Sequence, residues 1–184
     1  MNIVVCIKQV PDTKGGVKFN PDGTLDRSAM MAIMNPDDKG GLEFALQLKD
    51  QYGAHVTVIT MGPPQAEAIL REAYAMGVDR AILLSDRKFG GADTLATSNT
   101  IAAALRSLEF DLVITGRQAI DGDTAQVGPQ IAEHLDLPQV TYVESLTFDG
   151  NKTFTVKKSM EDGYQMVQVD TPCVFTALAS GVKP

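Results

Sequence analysis

A chain of 184 residues with 44% hydrophobic content can bury an ordinary core in one domain without disulfide or metal staples. A net charge of −7 with no Lys/Arg cluster excludes nucleic acid as an expected partner, because phosphate attraction needs a basic face. Cys6 and Cys173 are too far apart in sequence for a CxxC pair, and no apolar run nears the ~18 residues of a membrane span. The opening MNIVVCIKQVPD turns polar too early for a signal peptide, so a cytoplasmic protein without membrane insertion is expected.

Residues 2–10, NIVVCIKQV, begin as a β-branched apolar run and read as a buried strand. Turn residues follow (Pro11-Asp12-Thr13, Gly15-Gly16, Pro21-Asp22-Gly23), with VKF and TLD as the arms of a small excursion or hairpin. Asn35-Pro36 starts a helix, with Asn35 as N-cap, Pro36 at the first helical position and Asp37 and Asp38 in the first turn. Its buried face is expected at Leu42, Ala45, Leu46 and Leu48, and Gly40-Gly41 weakens its first turns.

Residues 54–61, AHVTVITM, form a second strand. Gly62-Pro63-Pro64 turns into a helix over 65–77 with Ile69, Ala73 and Met76 on one face and Gly77 as its C-terminal cap. RAILL (80–84) is a third strand, followed after FGGAD by a helix with Leu95, Ala102 and Leu105 on one stripe. DLVIT (111–115) is a fourth strand, leading through GRQAIDGDTAQVGP into the helix QIAEHL. Gln139–Val143 is a fifth parallel strand. Beyond it, Asp149-Gly150 marks a hairpin, and 163–169 and 173–177 read as further strands. The fold class is α/β: a doubly wound, mostly parallel, Rossmann-like sheet with an antiparallel C-terminal extension. It is read as one domain, residues 1–143 being the parallel core and 144–184 the extension.

Ligands of such sheets bind beyond the strand C-termini. The candidate loops are 9–12, 61–64, 85–97 and 116–128. In the last of these, Gly116, Gly122 and Gly128 are six apart, so no dinucleotide fingerprint is present. Asp123-Thr124-Ala125-Gln126 has capping-box form, which a merely well-capped helix would also show. Read functionally, the amides of Thr124, Ala125, Gln126 and Val127 at a helix start bind a phosphate without a lysine. Asp93 or Thr94 is an N-cap candidate for the helix after FGGADT, a loop that weakly resembles that of ATP pyrophosphatases. His55 and His134 lack metal-ligand spacing, Cys6 reads as a packed residue, and no nucleophile motif occurs, so no catalytic side chain and no metal site are assigned. The residues alone give a nucleotide-binding α/β domain and leave the reaction open.

Taken together, these motifs resemble the β subunit of electron transfer flavoproteins. The matching stretches are Val4–Asp12, Met34-Asn35-Pro36, Val58–Pro63, Ala75–Asp79, Gly91–Ser98 and, above all, Gly116–Pro129. The resemblance implies a heterodimer with an α subunit that carries its own flavin, and an adenine nucleotide on the β subunit. In ordinary members that nucleotide is a structural AMP. In electron-bifurcating members it is FAD, which accepts hydride from NADH and divides the electrons between the α-subunit flavin and an acceptor such as ferredoxin or flavodoxin. An acyl-CoA dehydrogenase is a further implied partner. Carried over by residue, the cofactor-binding set is Cys6, Lys8, Asn35, Met61, Gly62, Asp93, Thr94, Thr97, Gly116, Arg117, Gln118, Ala119, Ile120, Asp121, Gly122, Asp123, Thr124, Ala125, Gln126 and Val127.

Three variants resemble the bifurcating type: Val10–Thr13, Gly90–Thr94, and the Asp121-Gly122-Asp123-Thr124 form of the signature. AMP-type members tend to carry an acid in place of Gly122. FAD is therefore the expected cofactor, with AMP as the alternative. Family members continue past Gly181-Val182-Lys183-Pro184 with a C-terminal segment, so a truncated copy with weakened binding of the α subunit and dehydrogenase is expected. A universal-stress-type nucleotide sensor, or an adenine-nucleotide hydrolase, is the alternative reading.

Overall fold

The computed structural model describes residues 1–16, 18–24, 26, 29 and 31–179. Its centre is four parallel strands: β1 (Asn2–Cys6), β4 (His55–Met61), β5 (Arg80–Leu84) and β6 (Leu112–Gly116). Burial on both faces explains the near-continuous apolar composition of β1, β4 and β6. Ile3 and Val5 face one core with α1 (Pro36–Tyr52) and α2 (Glu67–Met76). Val4 and Cys6 face a second core with α3 (Thr94–Leu105) and α4 (Val127–His134). Helices on both faces of a parallel sheet make the doubly wound arrangement.

Three strands extend the sheet: β7 (Gln139–Phe148), β8 (Thr153–Met160) and β9 (Gly163–Asp170). The last strand, β10 (Cys173–Ala177), returns to the interior, and the sheet order is β5-β4-β1-β6-β10-β7-β8-β9. β10 pairs in parallel with both β6 and β7, so the expected division at residue 144 needs one correction. The antiparallel part is β7 to β9, whereas β10 belongs to the parallel core. Its five residues are all buried, as a strand with neighbours on both sides and a covering layer on each face requires. β7 serves both regions because it bends at Tyr142, where φ is +56 and the pairing shifts register. Gln139 to Val143 run parallel to β10, and from Val143 onward the strand pairs antiparallel with β8.

Three local expectations change, and two others reach outside the described residues. The first strand divides: β2 (Gln9–Pro11) leaves the sheet and pairs antiparallel with a short β3 (Ala32–Met34) that the sequence pattern did not show. The excursion turns through Asn20–Thr24, where the Asn20 amide donates to the Thr24 carbonyl at 2.7 Å, while Val17 and Leu25 of its arms lie outside the described residues. So do Gly181–Pro184, on which the truncation argument rested. On α3, Leu95 is 53% exposed in the first turn, and the buried stripe is Ser98, Ile101, Ala102 and Leu105. Gly40 and Gly41, which weaken α1 as an isolated helix, are there for packing. A Cβ on Gly41 would lie 2.9 Å from Ile114 Cγ2, and one on Gly40 2.9 Å from the Leu178 carbonyl.

Candidate functional site

A cleft of about 1120 Å³ opens at the C-terminal ends of β1, β4, β5 and β6, where such sheets bind ligands. It is larger than the ~300–1,000 Å³ usual for drug-sized ligands. Cys6, Ile7, Thr115 and Gly116 line its base, and the 61–64, 85–94 and 117–128 segments supply its walls, Lys88, Ile120 and Asp121 excepted. Gly116 is required by close approach: a Cβ there would come within 2.7 Å of the Asp38 nitrogen and 2.9 Å of the Asp37 carbonyl carbon.

Two residues at the start of α1 hold the base together. Asp38 accepts from the Lys8 amide at 2.8 Å and from the Gly116 amide at 3.0 Å, joining the ends of β1 and β6. Burial pushes its carboxyl up to about 7, and the negative charge of Asp37 adds to the rise; the hydrogen bonds from Asn35, Lys8 and Gly116 oppose it. Asn35 is fully buried. Its Nδ2 donates to the Gln118 carbonyl at 2.8 Å, its Oδ1 accepts from the Ile120 amide at 3.1 Å, and its own amide donates to the Lys8 carbonyl at 2.8 Å. Asn35 stands at the N-cap position as expected but makes no side-chain cap bond, because its amide serves the 116–123 loop instead.

The loop is braced by its own charges. Lys8 Nζ reaches both Asp121 oxygens, at 2.8 and 3.1 Å. Asp123 accepts from Gln118 Nε2 at 3.0 Å. Arg117 Nε lies 3.2 Å from an Asp37 oxygen, but the alignment falls short of a hydrogen bond and the nitrogen is buried without another acceptor. The proximity counts as an ion pair and the orientation makes it a weak one. Across the cleft, Asp93 caps α3 by accepting from the Ala96 amide at 2.8 Å, as expected. Thr94 Oγ1 donates to Gln126 Oε1 at 3.0 Å and ties that helix to the loop.

The expected capping box at 123–126 is absent. α4 begins at Val127, and Gln126 occupies the position before it. Asp123 has φ +49 and its carboxylate is committed to Gln118, so it neither adopts the extended backbone of an N-cap nor faces the helix. The sharper feature is Ala125, an alanine at φ +54. The left-handed region costs a non-glycine residue roughly 1–2 kcal/mol. It is followed by Gln126 at φ −103, ψ −29. Left-handed and right-handed residues in succession curl consecutive amides into a concave nest that suits an anion. Among the described residues, the amides of Thr124 to Gly128 donate to no protein acceptor, and all five residues line the cleft. Gly128 is also a close-approach site, since a Cβ there would lie 2.7 Å from Thr176 Cγ2. A Cβ on Gly122 would meet nothing within 4 Å, so its missing side chain answers no packing need.

The sequence-derived site residues Cys6, Lys8, Met61, Gly62, Asp93, Thr94, Thr97, Gly116–Ala119 and Gly122–Val127 come together on this cleft. Asn35, Ile120 and Asp121 do not line it. Asn35 and Ile120 are bonded to one another behind the loop, and Asp121 is held by Lys8. The candidate loop 9–12 contributes no lining either, because it forms β2. Sequence reasoning missed Ile7, Asp38, Ile101 and Thr115. The acid at Asp38, one turn after Asn-Pro, was the only visible signal, and it was read as a dipole partner. Burial pushes the Cys6 thiol up to about 12, with the Asp38 charge adding to it, so Cys6 is a packed wall and not a nucleophile. Among the described residues, no cluster of His, Cys, Asp and Glu could hold a metal, and no helix is long and apolar enough to cross a membrane.

The family model described as "Electron transfer flavoprotein domain" matches residues 22–184. The chain belongs to the electron transfer flavoprotein family. It is 64% identical over 179 residues to the electron transfer flavoprotein subunit beta of Clostridium acetobutylicum, covering 97% of this chain and 68% of that one. It is 56% identical over 188 residues to the acryloyl-CoA reductase electron transfer subunit gamma of Anaerotignum propionicum, covering 100% and 70%. It is 55% identical over 181 residues to the caffeyl-CoA reductase-Etf complex subunit CarD of Acetobacterium woodii, covering 97% and 68%. The family places this chain among the β-type subunits, with a role in electron transfer. These matches lend no support to a universal-stress-type sensor or hydrolase.

Proposed function

We propose that this chain is a cytoplasmic electron transfer flavoprotein β subunit, one nucleotide-binding domain over its whole length, that holds FAD in the cleft and works with an α subunit. The observation that carries the reading is the run of unpaired amides from Thr124 to Gly128, curled around the left-handed Ala125. Such a nest supplies several hydrogen-bond donors to one phosphate with no lysine. The fit to FAD over AMP rests on the cleft volume of about 1120 Å³ and on the open space at Gly122.

In this reading the amides of Ala125, Gln126 and Val127 hold the adenylate phosphate. Asn35 and Asp38 are positioning residues: they fix the 116–123 loop and the two strand ends, and thereby the path of the nest. Met61, Gly62 and the apolar base exclude water from the ligand's ring systems. Lys8 holds Asp121 away from the phosphate, which lets an acidic loop take an anion. When bound, the flavin supplies two-electron exchange with NADH and one-electron exchange with other carriers. The chain's residues provide binding, orientation and electrostatics.

The names of the acryloyl-CoA and caffeyl-CoA reductase relatives support service to a CoA-ester-reducing partner of the acyl-CoA dehydrogenase class. NADH as donor, and ferredoxin or flavodoxin as second acceptor, complete the bifurcating version. The test is to reconstitute the heterodimer and count released nucleotides by chromatography. Two FAD per heterodimer are expected. One FAD with one AMP sinks the bifurcating reading and leaves an AMP-binding electron carrier.

A further inference from the structure

Asp38 lines the cleft yet is only 7% exposed, and among the described residues it has no ion-pair partner. Every cation near it is turned elsewhere. Lys8 Nζ is on Asp121, Arg117 lies against Asp37, and Lys39 Nζ, next along α1, is 2.8 Å from Glu72. Two other titratable groups stand beside it. Asp37 adds negative charge, and the Cys6 thiol, pushed up to about 12, stays neutral. The strands at this end add none: β6 has no titratable side chain, and Cys173 of β10 pairs with Leu112 at the opposite end. Only hydrogen bonds from Asn35 and the Lys8 and Gly116 amides favour the charged form. A carboxylate buried without a cation is costly, and a proton is the remaining way to neutralise it.

The end of β6 carries this acid and the nest on its two sides. The Asp38 carboxylate packs against Gly116, and Gly128 packs against the side chain of Thr115, the residue before it. Consecutive strand residues face opposite ways, so one layer of sheet, roughly 12 Å across with its contacts, separates the acid from an anion on the nest. A unit charge at that distance, in an effective dielectric of ~20, changes a protonation constant about tenfold. The coupling is reciprocal, so the proton strengthens anion binding by the same factor. Resting on the dinucleotide reading above, we propose that the cleft takes up its anionic ligand together with one solvent proton, and that Asp38 is the group that binds the proton. Burial already pushes the free carboxyl up to about 7. A tenfold coupling moves it to about 8 in the complex, and cofactor affinity rises as pH falls through that window.

The test is calorimetric titration of the full chain with FAD from pH 6 to 9, in buffers of different ionisation enthalpy, which counts the protons exchanged. FAD is the probe because its pyrophosphate keeps a constant charge there, whereas the phosphate of AMP has an ionisation near pH 6. Wild type takes up about half a proton per FAD at pH 7.5 and binds FAD about eightfold more tightly at pH 6 than at pH 9. Asp38→Asn removes the uptake and holds the affinity within about twofold across the range. His134→Gln, on the helix that begins at the nest, keeps the wild-type uptake and controls for histidine, which ordinarily titrates in this range. If Asp38→Asn does not fold, the carbon-13 carboxyl resonance of Asp38 in the wild type decides: its titration midpoint rises when FAD binds. FAD binding with no proton uptake, an uptake that persists in Asp38→Asn or vanishes in His134→Gln, or a carboxyl midpoint unmoved by FAD overturns the inference alone. FAD failing to bind at any pH defeats the dinucleotide reading, and this inference with it.

Discussion

Asn35→Ala separates a residue that touches a nucleotide from one that shapes the loop holding it. The buried amide of Asn35 satisfies the Gln118 carbonyl at 2.8 Å and the Ile120 amide at 3.1 Å. Alanine leaves both groups without a partner. Each unsatisfied buried polar group costs ~1–3 kcal/mol. Gln118 and Ile120 are only half-buried, so water relieves part of the loss, and about 2–4 kcal/mol is expected in total. At ~2–4 °C per kcal/mol for a domain of this size, the melting temperature falls by about 4–16 °C. Urea denaturation should show a lower midpoint with an unchanged slope. AMP affinity falls as well, because the loosened loop carries the nest. Asn35→Asp is at least as damaging, since it keeps the acceptor for Ile120 but turns an acceptor toward the Gln118 carbonyl. The reasoning is refuted if Asn35→Ala keeps wild-type stability while losing AMP affinity, for then Asn35 acts on the nucleotide directly.

Three further outcomes follow from the same geometry. Gly122→Asp should leave the melting temperature within about 1 °C, because a side chain there meets open space, yet weaken FAD more than AMP in titration; equal losses would remove Gly122 from cofactor choice. Asp38 has a folded-state pKa of about 7 against an ordinary 3.8, so the folded state binds its proton more tightly than the unfolded state. Its contribution to stability is accordingly most favourable below pH 3.8 and declines as pH rises toward 7, and Asp38→Asn should show a flatter denaturation free energy across that window. A variant that keeps the wild-type slope would assign the pH dependence elsewhere. Cys6 and Cys173, both buried with thiols pushed up to about 12, should react with a thiol reagent at pH 8 only after denaturant is added. Rapid labelling of either in the native protein contradicts the burial.

The sheet was legible because its central strands are buried on both faces and so read as apolar runs, while the second helix carries its own stop signal at Gly77. What sequence periodicity could not show is where a strand goes once its pattern ends. β10 reads like any short apolar strand, and only its two parallel neighbours place it inside the core. The site loop was legible in position and misread in detail. A capping box is a local pattern, but Asp123 is drawn off by Gln118 and by a left-handed backbone, neither of which the pattern reveals. Asn35 was assigned to the ligand because its motif belongs to a nucleotide-binding family, whereas its hydrogen bonds show it bracing the loop from behind. Asp38 was missed because an acid in a first helical turn has an ordinary explanation, and only tertiary packing buries it between two strand ends.

In the proposed function the nest formed by the amides of Thr124 to Gly128 holds the phosphate. Its most direct test is the amide nitrogen–proton spectrum of the isotopically labelled chain during titration with AMP. The largest shifts are expected on Thr124 to Gly128, saturating at one equivalent of AMP. Saturable binding with those five amides unmoved, and the shifts elsewhere, would contradict it.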